Sequence, residues 1–138
     1  MKPSTRWNGS YNVPIVAEAD LRAMLERHVG KYNEAVRTGE FGPFLEMYAD
    51  SAVMSFADLP VGPFAGRPAI TEAFRKQTPN DTILLIDMHE VGNDAVNASF
   101  EWDAGGTGEM FLRWADGHIV EHRIVVRNVV DLGEGGLP

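Results

Sequence analysis

The sequence predicts an α+β fold, a curved antiparallel or mixed sheet forming a cone around a long N-terminal helix, with an apolar pocket inside. Three observations predict it. Apolar residues recur at three- and four-residue spacing mainly in the first 77 residues of the 138, one face of a helix at a time. After Pro79 the pattern changes to short β-branched and aromatic runs separated by turn residues. Helices gathered ahead of a meandering sheet give α+β rather than alternating α/β organisation. A sheet curled around one helix encloses an apolar volume suited to a small molecule.

Residues 1–17, with Pro3, Gly9 and Pro14, read as an irregular arm whose Trp7, Tyr11 and Ile15 could dock on the body. From Glu18 the chain is helical, with Leu21, Met24, Leu25, His28, Tyr32, Ala35 and Val36 on one face. Gly39 ends this helix, and Gly30 inside it costs some propensity. The stretch "FGPFLEMYA", 41–49, reads as a second short helix, with Pro43 tolerable in its first turn. "SAVMSF", 51–56, reads as a strand, "DLPVGPFAGRP", 58–68, as a loop, and "AITEAFRKQ", 69–77, as a third helix. Strands follow at 82–91, within 93–102, at 109–115 and at 118–130, with "AGGTG" (104–108) as a turn and Asp116-Gly117 as a hairpin dipeptide. Residues 18–131 make one domain and 132–138 a flexible tail; no repeat or linker suggests a second domain.

The bulk numbers exclude several functions. A net charge of −8 argues against nucleic acid and anionic membrane surfaces, which need basic patches. There are no cysteines, so disulfides, thiolate metal sites and a Cys nucleophile are absent. No secretory signal or membrane span is visible, so a cytoplasmic location is expected. Asp87, His89 and Glu90 read as a solvated outer face rather than a metal site, because adjacent residues of a strand point to opposite sides.

Strand alternation selects the residues facing the cone. Met54 and Phe56 point inward, and so does Asp58 if the strand continues. Met110, Leu112 and Trp114 share an apolar face opposite Glu109, Phe111 and Arg113. On the last strand Val120, His122, Ile124 and Val126 share a face, which leaves His122 a lone polar group on an apolar surface. An imidazole titrates near neutral pH, and an apolar cavity favours its neutral form. Asp58 reads either as a carboxylate at the cavity mouth or as a turn cap. Tyr32 reads either as a phenol donating into the cavity or as a helix tyrosine with its hydroxyl at a rim. His28, one turn before Tyr32, lines the same face. Trp102, Trp114, Phe56, Phe64 and Met110 shape the pocket or plain core.

The strings "KYNEAVRTGEF", "EMYADSAVMSF", "LPVGPFAGRPAITEAF", "SFEW" and "LRWADGHIVEHR", spanning roughly residues 20–127, resemble the nuclear-transport-factor-2-like superfamily. Within it the likeness is to ketosteroid isomerases and SnoaL-like polyketide cyclases. The resemblance implies that Tyr32, seven residues before Gly39, is an oxyanion-hole tyrosine. The isomerases' general base falls where this sequence has Phe56, and a shift within "DLPVG" makes Asp58 the substitute. Their second oxyanion acid falls at Met110. The acid set of the superfamily's epoxide hydrolases is missing, since Ile124 follows Arg123.

The expected function is cofactor-independent acid/base chemistry on a small hydrophobic substrate: isomerisation, cyclisation or dehydration through an enol or enolate. Asp58, His122 and Tyr32 are the catalytic candidates. Phe56, Met54, Phe64, Trp102, Met110, Leu112, Trp114, Ile124 and His28 are the substrate-binding candidates, and no metal is expected. The alternatives are a non-catalytic small-molecule binder of the same fold, or epoxide opening with an unusual acid set. A homodimer through the outer sheet face, at Phe111 and Val125, is implied as well.

Overall fold

The computed structural model describes residues 15–57 and 59–127. The expectations for the N-terminal arm before residue 15, for Asp58 and for the tail lie outside these residues. Helix α1 spans Ile15–Thr38, starting three residues earlier than the sequence pattern suggests. Its predicted face is buried at Leu21, Leu25, His28, Tyr32 and Ala35. Gly39 ends it with φ +79°, and its N–H bonds the Ala35 carbonyl at 2.7 Å, a left-handed cap that glycine adopts without strain.

Helix α2 is one turn, Gly42–Leu45, and buries Phe44 and Leu45. The helix expected over 41–49 therefore stops early, and strand β1 runs Tyr48–Ala57. Pairing with the last strand overrides the local pattern: Tyr48 stands opposite Ile119, and the Ile119 N–H donates to the Met47 carbonyl at 2.9 Å. Within the proline-rich loop Phe64–Ala65 forms a two-residue strand, β2, which is too short to leave a pattern in sequence. Helix α3 is Arg67–Lys76. Four strands complete the chain: β3 Ile83–Val91, β4 Ala95–Trp102, β5 Thr107–Ala115 and β6 His118–Arg127.

The six strands form one sheet in the order β2-β1-β6-β5-β4-β3, with β1 parallel to β6 and every other pair antiparallel. The sheet is mixed and curved, open at its edges, with α1 against its inner face. Inner residues follow the predicted alternation on β5, where Met110, Leu112 and Trp114 are buried. On β6 the register shifts where Arg113 pairs Glu121 and Trp114 pairs Ile119, leaving Val120 as the extra residue of a bulge. Ile119, rather than Val120, is then the buried neighbour below His122.

One glycine matters for the interior. Thr107 and Gly108, expected in a turn, belong to β5. A Cβ on Gly108 would lie 2.5 Å from Phe100 Cζ and 3.0 Å from the Val125 carbonyl oxygen. Glycine here lets the Phe100 ring lie across the neighbouring strand and form part of the inner wall.

The outer face is laced with charge. Arg113 bridges Asp94 at 2.8 Å and Glu121 at 3.7 Å, and Arg127 reaches Glu109 at 3.3 Å. The Phe111 ring lies under both Arg113 and Arg123, at 5.2 and 5.3 Å. Asp87, His89 and Glu90 are exposed, as read from sequence.

Candidate functional site

Between α1 and the inner face of the sheet lies a cavity of about 270 Å³, just below the usual range for ligand pockets. Its walls are apolar. Met54 and Phe56 come from β1, Phe100 and Trp102 from β4, Met110 from β5, and Ile124 and Val126 from β6. Phe44 and Phe74 close it from the helical side. Polar side chains enter only from His28, Tyr32, Asn80, Asp81 and His122 among the described residues.

Eight of the predicted site residues meet here: His28, Tyr32, Met54, Phe56, Trp102, Met110, His122 and Ile124. Three do not. Leu112 is fully buried between Val96 and His122 across the strands and has no face on the cavity. Trp114, further along β5, lies beyond the floor beside Met24 and Met47. Phe64, on β2, pairs with Met54 of β1 and lines an adjoining surface recess with Leu59 and Val61, which shares Met54, Phe56 and Phe74 with the cavity. Face alone puts Leu112 and Trp114 in the cavity, while depth along the strand and position across the sheet, which alternation does not specify, put them elsewhere. Phe64, expected in a loop, lies instead on the short edge strand β2.

The floor is built from α1, β1 and β6. His28, on the inner face of α1, is 2% exposed and His122, on β6, is 5% exposed. Their ring centroids are 5.2 Å apart, edge to face. Met54 stands directly beside His122 in the parallel β1–β6 pair. Tyr48, at the start of β1 and fully buried, stacks against the His122 ring with its hydroxyl 2.8 Å from Nδ1. His122 Nε2 and His28 Nδ1 are buried with no hydrogen-bond partner. Buried polar atoms are ordinarily paired, so two unpartnered ring nitrogens in one cluster beside the cavity are an exception that the protein's own groups do not satisfy.

Burial sets the charge of this cluster. It pushes the His28 pKa down to about 3. It pushes His122 well below its ordinary value, with the neighbouring His28 adding to the effect. The Tyr48 phenol is pushed well above its ordinary value by burial and then by Tyr32. At neutral pH all three are uncharged. Phe44 roofs the group, with ring centroids 5.1 Å from His28 and 5.6 Å from Tyr48.

The mouth differs. The Tyr32 hydroxyl donates to the Asp81 backbone carbonyl at 2.9 Å. Burial, and then the Asp81 charge, raise its pKa well above the ordinary value. Its one proton is engaged by the protein, not aimed at a cavity oxygen. Next to it Asn33 makes two 2.9 Å bonds with the backbone of Ile83, donating to its carbonyl and accepting from its N–H. The Asp81 carboxylate accepts from the Ala104 N–H at 3.1 Å. Among the described residues no group of three or more His, Cys, Asp or Glu side chains could hold a metal ion, and no helix is long and apolar enough to cross a membrane.

Sequence reasoning missed Tyr48, Phe44, Phe74, Phe100 and Asp81. Tyr48 carried a usable signal, since it has the same parity as Ala52, Met54 and Phe56, but its neighbours read as a helix end.

No protein-family profile matches the chain, and no curated protein does either. Solved structures do match it. An NTF2-like protein of unknown function from Burkholderia xenovorans LB400 superposes with a TM-score of 0.62 at 10% identity, covering 81% of this chain and 89% of its own. A candidate isomerase from Bacillus subtilis gives 0.64 at 16% identity, over 76% of this chain and 87% of its own. A candidate ketosteroid isomerase from Kribbella flavida DSM 17836 gives 0.59 at 15% identity, over 82% and 84%. The chain therefore has the nuclear-transport-factor-2-like cone fold that its sequence resembles. That fold hosts many chemistries, so function has to be argued from the site.

Proposed function

We propose that the protein binds a small, largely apolar carbonyl compound in the cone and moves a proton on it, as an isomerase, cyclase or dehydratase acting through an enol or enolate. The observation that carries this reading is the unpartnered Nε2 of His122, buried at the end of an apolar cavity. A substrate entering oxygen-first would meet the two imidazoles while its hydrocarbon part packs on Met54, Phe56, Phe100, Trp102, Met110 and Ile124.

In this reading His122 faces the oxygen on which charge develops. A neutral imidazole in a dry site is a preorganised partner for such charge, because it needs no reorganisation at the moment of reaction. Asp58, immediately after β1, is the candidate carboxylate for proton abstraction, and Tyr32 supports the mouth. The homodimer at Phe111 and Val125 belongs to the same proposal. All the chemistry is assigned to this chain's own side chains.

A panel of small cyclic ketones and enones in deuterated water tests this directly. Wild-type protein should speed incorporation of deuterium next to the carbonyl for at least one member, read by mass spectrometry. His122→Gln should lower that rate by about 10²- to 10³-fold, the usual worth of one oxyanion donor. Equal rates in wild type and a His122→Gln/Asp58→Ala double variant would sink the enzymatic reading.

A second reading is a non-catalytic binder of the same compounds. It is favoured by the Tyr32 hydroxyl, which is taken up by a backbone carbonyl. Tight binding of panel members with no exchange above buffer would establish it.

A further inference from the structure

The hydrogen bond between Tyr48 and His122 has a direction, and the direction decides what the cavity offers. The two atoms are 2.8 Å apart. A phenol has one proton and a neutral imidazole has one. If His122 carried its proton on Nδ1 and donated it, the Tyr48 proton would have no acceptor, because the hydroxyl has no other partner among the described residues. The Nε2 lone pair would be unmatched as well. If Tyr48 donates to a bare Nδ1, the hydroxyl proton and Nδ1 are both satisfied and only Nε2–H is open. One fewer stranded polar group in a buried site favours the second arrangement by roughly 5- to 100-fold.

We propose that Tyr48 is a positioning residue that holds His122 as its Nε2–H tautomer, so that the cavity floor presents a neutral N–H donor to an uncharged oxygen of the ligand. This deepens the proposed carbonyl chemistry and rests on it for the identity of the ligand. The second open nitrogen, Nδ1 of His28, stands in the same buried cluster. A neutral imidazole can hold its proton on either nitrogen. His28 thus donates to a carbonyl oxygen or accepts from a hydroxyl, while His122 donates in both cases. The site accommodates a ketone and its enol without changing its charge.

The same arrangement selects against acids. Both imidazoles are neutral, and among the described residues no Lys or Arg lines the cavity. A carboxylate placed there would lose its water without gaining a countercharge. The ligand class is therefore a ketone, aldehyde or alcohol with an apolar body of one or two rings.

Long-range proton–nitrogen NMR on protein labelled in its histidines reads the tautomer in wild type, with no substitution needed. His122 should show a protonated Nε2 and a bare Nδ1. Tyr48→Phe keeps the ring and removes the hydroxyl, and it should convert that signal to a mixture of both tautomers. A wild-type His122 protonated on Nδ1, or an unchanged tautomer in Tyr48→Phe, overturns the role of Tyr48.

The ligand class is tested with 1-indanone, indane and indane-1-carboxylate as probes. Wild type should bind indanone about 3- to 10-fold more tightly than indane, the worth of one net hydrogen bond, and the carboxylate most weakly. Tyr48→Phe should bring the indanone-to-indane ratio toward one. Equal binding of ketone and hydrocarbon by wild type, or binding of neither, ends the assignment of an uncharged oxygen. The tautomer is measured without turnover. Failure of Tyr48's role and failure of the catalytic reading are then separate results: one changes the NMR spectrum, the other the deuterium exchange.

Discussion

The two ends of the cavity treat their polar atoms in opposite ways. At the mouth, Tyr32 and Asn33 on adjacent positions of α1 are bonded to the backbone of Asp81 and Ile83. These bonds fasten the helix to the start of β3. At the floor, one turn earlier on the same helix, His28 is buried with Nδ1 open, and His122 opposite it has Nε2 open. A fold that satisfies polar groups where they hold segments together, and leaves them unsatisfied where a cavity ends, separates support from function. The polar atoms assigned to the proposed ligand are those the protein has not used for itself.

The largest expected effect that would break this contrast is on acid stability. The folded-state pKa of His28 is about 3, and His122 is also well below its ordinary value, against about 6.5 in an unfolded chain. Between those values the unfolded state binds protons that the folded state refuses. Stability is therefore complete above about pH 6.5 and falls as pH drops toward the folded pKa. Each histidine contributes a slope of about 1.4 kcal/mol per pH unit in that window. Denaturant unfolding of wild type between pH 6.5 and 5 should show both slopes, and His28→Leu should remove one of them. Identical slopes in the two proteins would mean that the floor is solvated and differs little from the mouth.

A smaller effect is expected from the mouth. Asn33→Ala removes both partners of the Ile83 backbone and should destabilise the fold by about 1–2 kcal/mol, since the site is partly exposed and water can replace part of the loss. The histidine tautomers at the floor should not change. A shifted His122 NMR signal in Asn33→Ala would show that the two ends are coupled rather than independent.

The sequence showed the two histidines because both lie on periodic apolar surfaces, His28 on a helix face and His122 on a strand. A lone polar residue within such a surface is visible by contrast. It also placed Met54, Phe56, Met110 and Ile124 on the cavity wall, since parity along a strand is fixed by the backbone. Parity carries no depth, which is why Leu112 and Trp114 were placed in a cavity that ends before them. Tyr48 was hidden because "EMYADS" suits a helix end, and only the long-range pairing with Ile119 makes it a strand. The Val120 bulge was hidden for a related reason, as a shift in pairing leaves no mark on the strand's own residues. The acceptor of the Tyr32 proton could not be read at all, because a backbone carbonyl has no residue type.

Tyr32 is where the sequence resemblance and the geometry diverge most, and Tyr32→Phe is the smallest and most discriminating substitution. The seven-residue spacing to Gly39 marks Tyr32 as an oxyanion donor by resemblance, while the structure engages its proton with Asp81. If the proton serves only the mouth, removing the hydroxyl costs about 0.5–1.5 kcal/mol of stability, one ordinary net hydrogen bond. Deuterium exchange on the ketone panel should then stay within a few-fold of wild type, far from the roughly 10²- to 10³-fold loss expected for His122→Gln. A loss of about 10²-fold or more in Tyr32→Phe, with the fold intact, would show that the hydroxyl leaves the Asp81 carbonyl when substrate enters. The mouth would then join the floor as part of the reacting site.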